Sequence, residues 1–217
     1  MTIPKIQSYP MPHISTKNEK ITWEAAPARS VLLIHDMQNY FLNYYDQKQA
    51  PIPELIANIQ RIKQLAAELN IPVVYTAQPG NQLPKDRALL TDFWGDGLRE
   101  DDAITAITDA LAPTQRDTVM TKWRYSAFKK SNLEELMKDV WHRDQLIICG
   151  IYAHIGCLLT AADAFMNDIQ PFYVTDAVAD FSEEDHRMAI RYAREKCAAT
   201  IQTEALIEQL EAYVVAK

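Results

Sequence analysis

Short, continuously apolar runs alternate with helical stretches from residue 30 onward, and this alternation is the strongest constraint that the sequence places on its fold. Apolar character that is continuous rather than alternating is typical of strands covered on both faces. The predicted strands lie at Val31–His35, Pro72–Thr76, Thr118–Thr121, Gln145–Cys149, Phe172–Thr175 and Ala199–Gln202. The predicted helices lie at 52–70, 101–111, 131–140, 157–167, 184–196 and 203–213. Repeated βαβ units of this kind predict a three-layer, doubly wound α/β fold with a six-stranded parallel sheet.

Polar residues at the ends of the predicted helices support these boundaries. Asn70 stands just before an Ile-Pro pair and is a predicted helix stop. Ser131 and Glu134 have the spacing of a capping box. Ser182, followed by two glutamates, begins the next helix with the charge that its dipole prefers.

The length of 217 residues favours a single domain. We expect residues 30–217 to form this domain. Residues 1–29 are irregular and dotted with prolines, and they are predicted to form an N-terminal arm that lies over the domain or over a partner subunit. Residues 78–100 form one long connection without clear periodicity, and such connections in compact domains are usually functional or mobile.

The charge balance disfavours a nucleic-acid partner. The chain has 22 basic and 29 acidic residues, a formal net charge of −7, and the basic residues are spread along it rather than clustered. No apolar run approaches the roughly 18 to 20 residues that cross a bilayer. The first residues lack the apolar core of a secretion signal. We therefore expect a cytosolic protein without a membrane segment.

The cysteines, histidines and glycines give no indication of a metal or a cofactor. Cys149, Cys157 and Cys197 contain no C-x-x-C pair and are expected to be small buried hydrophobic residues. His35 and His154 stand beside predicted turns, where a hydrogen-bonded structural role is commoner than metal binding, and no ligand spacing fits a metal site. The five glycines have the wrong spacing for a G-x-G-x-x-G or Walker loop. We expect no metal and no nucleotide cofactor.

Polar residues follow several predicted strands at their carboxyl ends, where parallel sheets bind ligands. A carboxylate at Asp36, directly after an apolar strand, is costly unless it is exposed or paired, and Lys122 after the third strand has the reach to pair with it. The pair has two interpretations, a structural ion pair or a catalytic one. Residues 150–157 link the fourth strand to a helix, and the N–H groups of such a turn are expected to point into the cleft, where they suit a carboxylate.

Five motifs stand at these strand ends and in the connections after them. They are His35–Gln38, Tyr75–Pro79, Asp92–Gly95, Thr121–Phe128 and Gly150–Gly156. In order and spacing, over nearly the whole chain, they resemble the isochorismatase family. The resemblance is to the bacterial isochorismatases of aryl-siderophore biosynthesis and to their relatives, the aminodeoxyisochorismate hydrolases of phenazine biosynthesis.

The resemblance extends to the nicotinamidase-like cysteine hydrolases, whose triad is Asp, Lys and Cys and whose turn reads Gly-x-x-Thr-Asp-Tyr-Cys. Counting six residues on from Gly150 puts the nucleophile's position at Gly156 and not at Cys157. The resemblance therefore implies that the thiol position is empty and that Cys157 points into the helix packing. An amidase that uses Cys157 is the competing interpretation.

By resemblance, the reaction is hydrolysis of the enolpyruvyl vinyl ether of isochorismate to 2,3-dihydro-2,3-dihydroxybenzoate and pyruvate, which is general-acid catalysis. Asp36 would protonate the terminal methylene. Lys122 beside it favours the ionised carboxylate, whereas a dry pocket and the substrate's carboxylates favour the neutral acid. The other residues implied to bind or enclose the substrate are Gln78, Arg87, the backbone from Tyr152 to Gly156, and the aromatic residues Trp94, Tyr125 and Phe41.

Two further functions stay open at this point. The motifs do not separate isochorismate from 2-amino-2-deoxyisochorismate as the substrate. A non-catalytic docking module for siderophore synthetase partners is the alternative of another class. Family members often carry a C-terminal aryl carrier domain, and since this chain stops at Lys217, we expect either a free-standing protein or a truncated sequence. The family also implies a homo-oligomer, most simply a dimer.

Overall fold

A computed structural model describes residues 3–16 and 18–215. Residues 1–2 and 17 of the predicted arm, and residues 216–217 of the predicted domain, lie outside the described residues. One six-stranded sheet has the order β3-β2-β1-β4-β5-β6, with every neighbouring pair parallel. The strands are β1 (Ser30–His35), β2 (Val73–Ala77), β3 (Thr118–Thr121), β4 (Gln145–Ile151), β5 (Gln170–Ala179) and β6 (Ala199–Ile201). The predicted α/β fold class is confirmed.

The helices lie on both faces of this sheet. They are α1 (Asn39–Leu42), α2 (Ile52–Glu68), α3 (Pro84–Arg87), α4 (Leu90–Trp94), α5 (Asp102–Thr105), α6 (Leu133–Glu135), α7 (Leu158–Met166), α8 (Glu183–Lys196) and α9 (Thr203–Val215). A π-helical segment, Leu136–Val140, extends α6, and another, Ala153–Cys157, leads into α7. A short 3₁₀ helix lies at Asp109–Leu111.

The central strands are covered on both faces, which explains their continuous apolar character. Neighbouring side chains of β1 belong to opposite layers. Ile34 packs in a first apolar layer with α2 and α9, and Leu33 packs in a second with α6, α7 and α8. Each fully buried side chain of this size stabilises the fold by roughly 2 kcal/mol relative to an exposed one.

The predicted helix over 101–111 is wrong. Only Asp102–Thr105 and the 3₁₀ turn are helical, because the chain between them pairs with the segment that follows β1. Gln38 and Ile107 form an antiparallel bridge. The Gln38 side chain also donates to the Thr105 carbonyl at 2.7 Å. Tertiary pairing therefore replaces the helical hydrogen bonds in the middle of the stretch.

The predicted helix ends have three different outcomes. Ser182 caps α8 by accepting from the Asp185 N–H at 3.1 Å, which confirms that start. The helix α2 stops at Glu68, and Asn70 follows in the left-handed region with φ 53°. The capping box at Ser131 is wrong, because its hydroxyl accepts from the Leu133 N–H and donates to a carbonyl of the preceding turn.

The N-terminal segment packs on its own chain. Ile3, Ile6 and Met11 are buried in the first layer. The Tyr9 hydroxyl accepts from the Asp180 N–H at 2.7 Å, at the carboxyl end of β5. These contacts bring residue 3 to the end of the sheet where the cavity described below lies. Within the described residues, none of the helices has the length and apolar character that spanning a membrane requires.

Candidate active site

A cavity opens at the carboxyl ends of the strands. The strand order reverses between β1 and β4, and crevices of doubly wound sheets form outside this switch point. All nine residues predicted to act on or enclose the substrate line this one cavity: Asp36, Phe41, Gln78, Arg87, Trp94, Lys122, Tyr125, Tyr152 and Gly156.

Asp36 and Lys122 form a buried ion pair on the cavity floor. The Lys122 Nζ donates to Asp36 Oδ2 at 3.0 Å, and the Thr76 hydroxyl donates to Asp36 Oδ1 at 2.6 Å. The residues are 5% and 4% exposed, respectively. Asp36 has φ 49°, in the left-handed region that residues other than glycine rarely adopt. The strand end thus turns the carboxylate towards the lysine.

The surroundings of Asp36 favour the ionised form of its carboxyl group. Burial alone would raise its pKa, but the charge of Lys122 and the hydrogen bonds from Thr76 and Lys122 hold the pKa below its usual range, and a charge on His35 would lower it further. Burial lowers the pKa of His35 itself to about 4, so this imidazole carries no charge at neutral pH. Lys122 and the two hydrogen bonds are therefore what stabilise the carboxylate near pH 7.

His35 lies between the ion pair and the turn after β4. Its Nδ1 is 2.7 Å from the Ile151 carbonyl oxygen and its Nε2 is 3.3 Å from the Tyr125 carbonyl oxygen. The expected hydrogen-bonded structural role is confirmed, but the ring also lines the cavity beside Gly156. The other turn histidine, His154, has Nδ1 2.6 Å from Asp180 Oδ1.

Three N–H groups of the turn after β4 are bonded inside the protein. The His154 N–H donates to Asp180 Oδ2 at 2.6 Å. The N–H groups of Ile155 and Cys157 both donate to the Tyr152 carbonyl, each at 3.2 Å. The expectation that the N–H groups of this turn point into the cleft is wrong for these three, because two of them donate to the residue just before the π-helical segment and the third donates to Asp180.

Cys157 faces away from the cavity. It is 0% exposed and packs in the second layer, which confirms its predicted direction. Burial raises the pKa of its thiol well above the ordinary value, so the reactive thiolate is disfavoured. The other two cysteines, Cys149 and Cys197, are also free and buried, as expected.

Arg87 offers a cationic group that the protein leaves partly unpaired. Its Nε donates to the Gly95 carbonyl and its Nη2 to the Trp94 carbonyl, whereas its buried Nη1 has no hydrogen-bond partner among the described residues. The residue is 4% exposed. An unpaired charged donor in a buried cavity wall favours an anionic ligand.

Gln78 lies beside this part of the cavity with its backbone fixed. The Gln38 side chain accepts from the Gln78 N–H at 2.7 Å and donates to the Gln78 carbonyl at 2.9 Å. The last residue of the first motif, Gln38, thus positions the chain at the end of the second strand, and no spacing rule indicates that contact.

Aromatic residues form much of the wall. The Trp94 Nε1 donates to the Tyr125 hydroxyl at 2.8 Å. The Tyr152 hydroxyl donates to the Phe41 carbonyl at 3.1 Å, and the Tyr152 ring lies 4.4 Å from that of Phe181. These contacts hold the rings together as a largely apolar surface of the cavity that contains the ion pair.

Sequence reasoning missed several residues of the wall. Arg124 lies inside a quoted motif and Phe181 follows β5, so their positions carried a signal, whereas nothing in the sequence indicated Ile3. The residues missed are Ile3, Tyr40, Leu90, Gly97, Leu98, Arg124 and Phe181.

His154, Asp180 and Asp185 form a cluster that could hold a cation, with possible ligand atoms within 4.8 Å of one another. Their atoms already bond inside the protein. The Asp180 carboxylate accepts from the Phe181 N–H as well as from His154, and Asp185 Oδ2 accepts from the Ser182 hydroxyl at 2.7 Å. These bonds account for the cluster as a structural network.

Curated relatives match almost the whole chain. The isochorismatase of Bacillus subtilis (strain 168) is 56% identical over 212 residues, which cover 97% of this chain and 68% of that protein. Enterobactin synthase component B of Escherichia coli (strain K12) is 47% identical over 209 residues, 95% of this chain and 73% of that protein. The phenazine biosynthesis protein PhzD1 of Pseudomonas aeruginosa is 45% identical over 212 residues, 95% of this chain and 99% of that protein.

The fold is shared with solved structures at lower identity. A cysteine hydrolase from Pseudomonas syringae pv. phaseolicola 1448A superposes with a TM-score of 0.81 and 21% identity, covering 89% of this chain and 97% of that one. The sequence model of the isochorismatase domain matches residues 30–205. With that match and relatives at 45–56% identity, the chain belongs to the isochorismatase family.

Proposed function

We propose that the protein hydrolyses isochorismate to 2,3-dihydro-2,3-dihydroxybenzoate and pyruvate. The observation that carries this proposal is a buried Asp36–Lys122 pair on the floor of a cavity whose facing residue is Gly156. Among the described residues that line the cavity there is no cysteine, serine or threonine. Such a site can transfer a proton but offers no cysteine, serine or threonine nucleophile. It therefore suits the hydrolysis of a vinyl ether better than that of an amide.

The proposed reaction begins with proton transfer from the Asp36 carboxylic acid to the terminal methylene of the enolpyruvyl group. The methylene becomes a methyl group, and the neighbouring carbon becomes an oxocarbenium ion stabilised by its ether oxygen. Water adds to this carbon and returns a proton to the carboxylate. The resulting hemiketal collapses: the bond between its central carbon and the ring oxygen breaks, the proton of its hydroxyl group passes to the ring oxygen, and pyruvate and the ring alcohol leave.

The proposed mechanism requires Asp36 to be protonated when substrate is bound. Its surroundings in the protein hold its pKa below the usual range, as described above. Isochorismate brings two carboxylates into the cavity that holds the Asp36 carboxylate, and nearby negative charge raises the pKa of a carboxyl group. Substrate binding is thus coupled to proton uptake by the enzyme.

Arg87 and Gln78 are the proposed ligands of the substrate's polar groups. The unpaired Nη1 of Arg87 is suited to a carboxylate, to which it would supply a charge-assisted hydrogen bond. Phe41, Trp94, Tyr125 and Tyr152 would enclose the ring and exclude water, and the backbone at Gly156 would lie against the enolpyruvyl group.

A second substrate, 2-amino-2-deoxyisochorismate, is supported by the relatives named for phenazine biosynthesis, one of which matches over 99% of its length. The two candidate substrates differ by an amino group in place of a hydroxyl. Turnover of each, measured as pyruvate release under the same conditions, tells them apart, since the preferred substrate has the higher kcat/KM.

We also propose that the enzyme acts in the cytosol, that it forms a homodimer, and that it binds siderophore synthetases. A relative named as an enterobactin synthase component supports the last of these. Exposed apolar side chains on α4, α7 and the connection before α4 support a subunit contact: Leu89, Phe93, Leu159 and Met166. A sedimentation equilibrium experiment tests the dimer, and a monomeric mass at micromolar concentration would exclude it.

The decisive experiment for the reaction uses the purified chain and isochorismate, with pyruvate measured through lactate dehydrogenase. We expect stoichiometric pyruvate. Tight binding of isochorismate without pyruvate release would instead favour the docking module. Inactivation by Cys157→Ala would favour the cysteine amidase, although the burial of this thiol makes near-normal activity the expected result.

A further inference from the structure

The ring of His35 fills the space in front of Gly156. A β-carbon on Gly156 would lie 2.6 Å from His35 Nε2 and 2.8 Å from Nδ1, and closer still to Cε1. Real β-carbons do not approach ring atoms so closely, and overpacking of this kind forces side chains from their positions. The present position of the ring is therefore compatible only with glycine at residue 156.

Contacts of the ring hold it in this position. Both of its nitrogens lie against backbone carbonyl oxygens, and the residue is 1% exposed. Its main chain is equally constrained, because a β-carbon on Gly150 of the neighbouring strand would lie 2.7 Å from the His35 nitrogen. Gly150, with φ 114°, pairs with His35 in register. The strand end and the ring are thus fixed together.

The space that the ring fills adjoins the proton-transfer pair. His35 Nδ1 lies 3.7 Å from Asp36 Oδ2. A hydroxyl or thiol carried by residue 156 in that space would have the Asp36 carboxylate as its base, which is the arrangement of an activated nucleophile. The His35 imidazole does not itself act as this nucleophile, because both of its nitrogens face backbone carbonyl oxygens.

The structure assigns His35 as a specificity-determining residue: its ring keeps any side chain of residue 156 away from the Asp36–Lys122 pair and so commits that pair to proton transfer to the substrate. The commitment to carbon protonation rests on the proposed function. The exclusion of a side chain at residue 156 rests on the overlap of atoms alone.

Reciprocal rescue in the pyruvate assay tests this role. We expect Gly156→Ala to lower kcat/KM at least 100-fold and His35→Ala to lower it about tenfold, since the latter removes only a wall of the cavity. The double variant His35→Ala/Gly156→Ala should recover at least tenfold over Gly156→Ala. The matched control His142→Ala/Gly156→Ala removes an exposed histidine far from the cavity and should recover nothing. Wild-type activity of Gly156→Ala, or a double variant no better than it, overturns the assignment.

A second measurement does not depend on isochorismate. In His35→Ala/Gly156→Cys, the introduced thiol gives its proton to Asp36, and its sulfur attacks the acyl carbon of p-nitrophenyl acetate. A sulfur–carbon bond forms, and p-nitrophenolate leaves with the electrons of the broken ester bond. We expect a burst of about one p-nitrophenolate per chain, compared with none for His35→Ala or for Gly156→Cys alone.

Each outcome of the burst experiment decides the role of the ring. An equal burst from Gly156→Cys with His35 intact shows that the ring excludes nothing. A double variant that keeps the native circular dichroism spectrum but gives no burst also refutes the role. If Gly156→Cys fails to fold and the double variant folds, the incompatibility is shown directly, whereas failure of both to fold means that the ring is not the obstacle. Absence of pyruvate release by the unaltered protein refutes the proposed function and leaves the burst result standing.

Discussion

Replacing Asp36 by asparagine removes the proton that the proposed reaction requires while keeping the shape of the side chain. The amide oxygen can still accept from the Lys122 Nζ, now 3.0 Å from Oδ2, and the amide N–H can donate to the Thr76 hydroxyl, now 2.6 Å from Oδ1. Substrate contacts therefore stay in place. An amide cannot give up its proton, and general-acid catalysis contributes about 10²–10⁴-fold to a rate. We expect kcat to fall about 10³-fold, a rise of roughly 4 kcal/mol in the barrier.

The same change also affects stability. Removing the carboxylate leaves the Lys122 ammonium, 4% exposed, with a neutral acceptor in place of its counterion. Breaking a buried ion pair costs about 3–5 kcal/mol, and the amide oxygen offsets part of this, so we expect a loss of roughly 2–3 kcal/mol in the free energy of unfolding. Urea titration measures this loss, and single-turnover pyruvate release at a temperature where both proteins are folded measures the rate.

The control for Asp36→Asn is Asp144→Asn, which removes an exposed carboxylate paired with Arg29 at 2.8 Å. Exposed pairs contribute little, so turnover and stability should both stay near the wild-type values. Calorimetric titration with isochorismate gives the dissociation constant of the slow variant, which should change by less than about tenfold. If Asp36→Asn turns over within tenfold of the wild type, Asp36 is not the acid and the mechanism is refuted.

Three further predictions follow from the cavity and from two buried histidines. Replacing Arg87 by methionine removes a charged donor worth about 1.5–3 kcal/mol, so steady-state kinetics should show KM raised roughly 10- to 100-fold; an unchanged KM excludes Arg87 as a substrate ligand. Binding of an analogue whose vinyl ether is reduced to a lactyl ether should take up about one proton per site at pH 7, because the carboxylates of the analogue must raise the low pKa of Asp36. Titrations in buffers of different ionisation enthalpy measure this uptake, which should vanish in the asparagine variant. Burial lowers the pKa of His35 and of His186 from 6.5 to about 4, so below pH 6.5 the unfolded chain binds protons that the folded chain does not. The contribution of these neutral histidines to the free energy of unfolding is then fully present above pH 6.5. Towards pH 4 it falls by about 1.4 kcal/mol per pH unit for each histidine. Guanidinium titrations that give equal free energies of unfolding at pH 7 and pH 5 would contradict this.

The sheet could be predicted from the sequence because its signal is local. Each strand is a continuous apolar run, and each observed strand overlaps its predicted run. The strand β5 extends well beyond its prediction at both ends, to Gln170–Ala179, since Asp176 interrupts the apolar run while the backbone continues in the sheet. The short helices between residues 78 and 100 carry too few residues for a periodic pattern.

The cavity could be predicted only where residues follow a strand or lie in a motif. Asp36 and Lys122 were both expected at strand ends, and the structure brings them together. The wall contributed by Ile3 depends on where a distant segment packs, and no local pattern encodes that. The failed helix over 101–111 has the same cause, since a long-range bridge to Gln38 decides the local backbone.

The overlap between His35 and a β-carbon at Gly156 also sets the order in which this cavity could acquire a new activity. Shrinking the histidine first opens a void, which a packed core tolerates at a cost in stability. Enlarging the glycine first meets a fixed ring and disrupts the strand end on which the carboxylate stands. A mutational path from this enzyme towards nucleophilic hydrolysis must therefore replace His35 before Gly156. A laboratory library that varies residue 156 alone would miss this path.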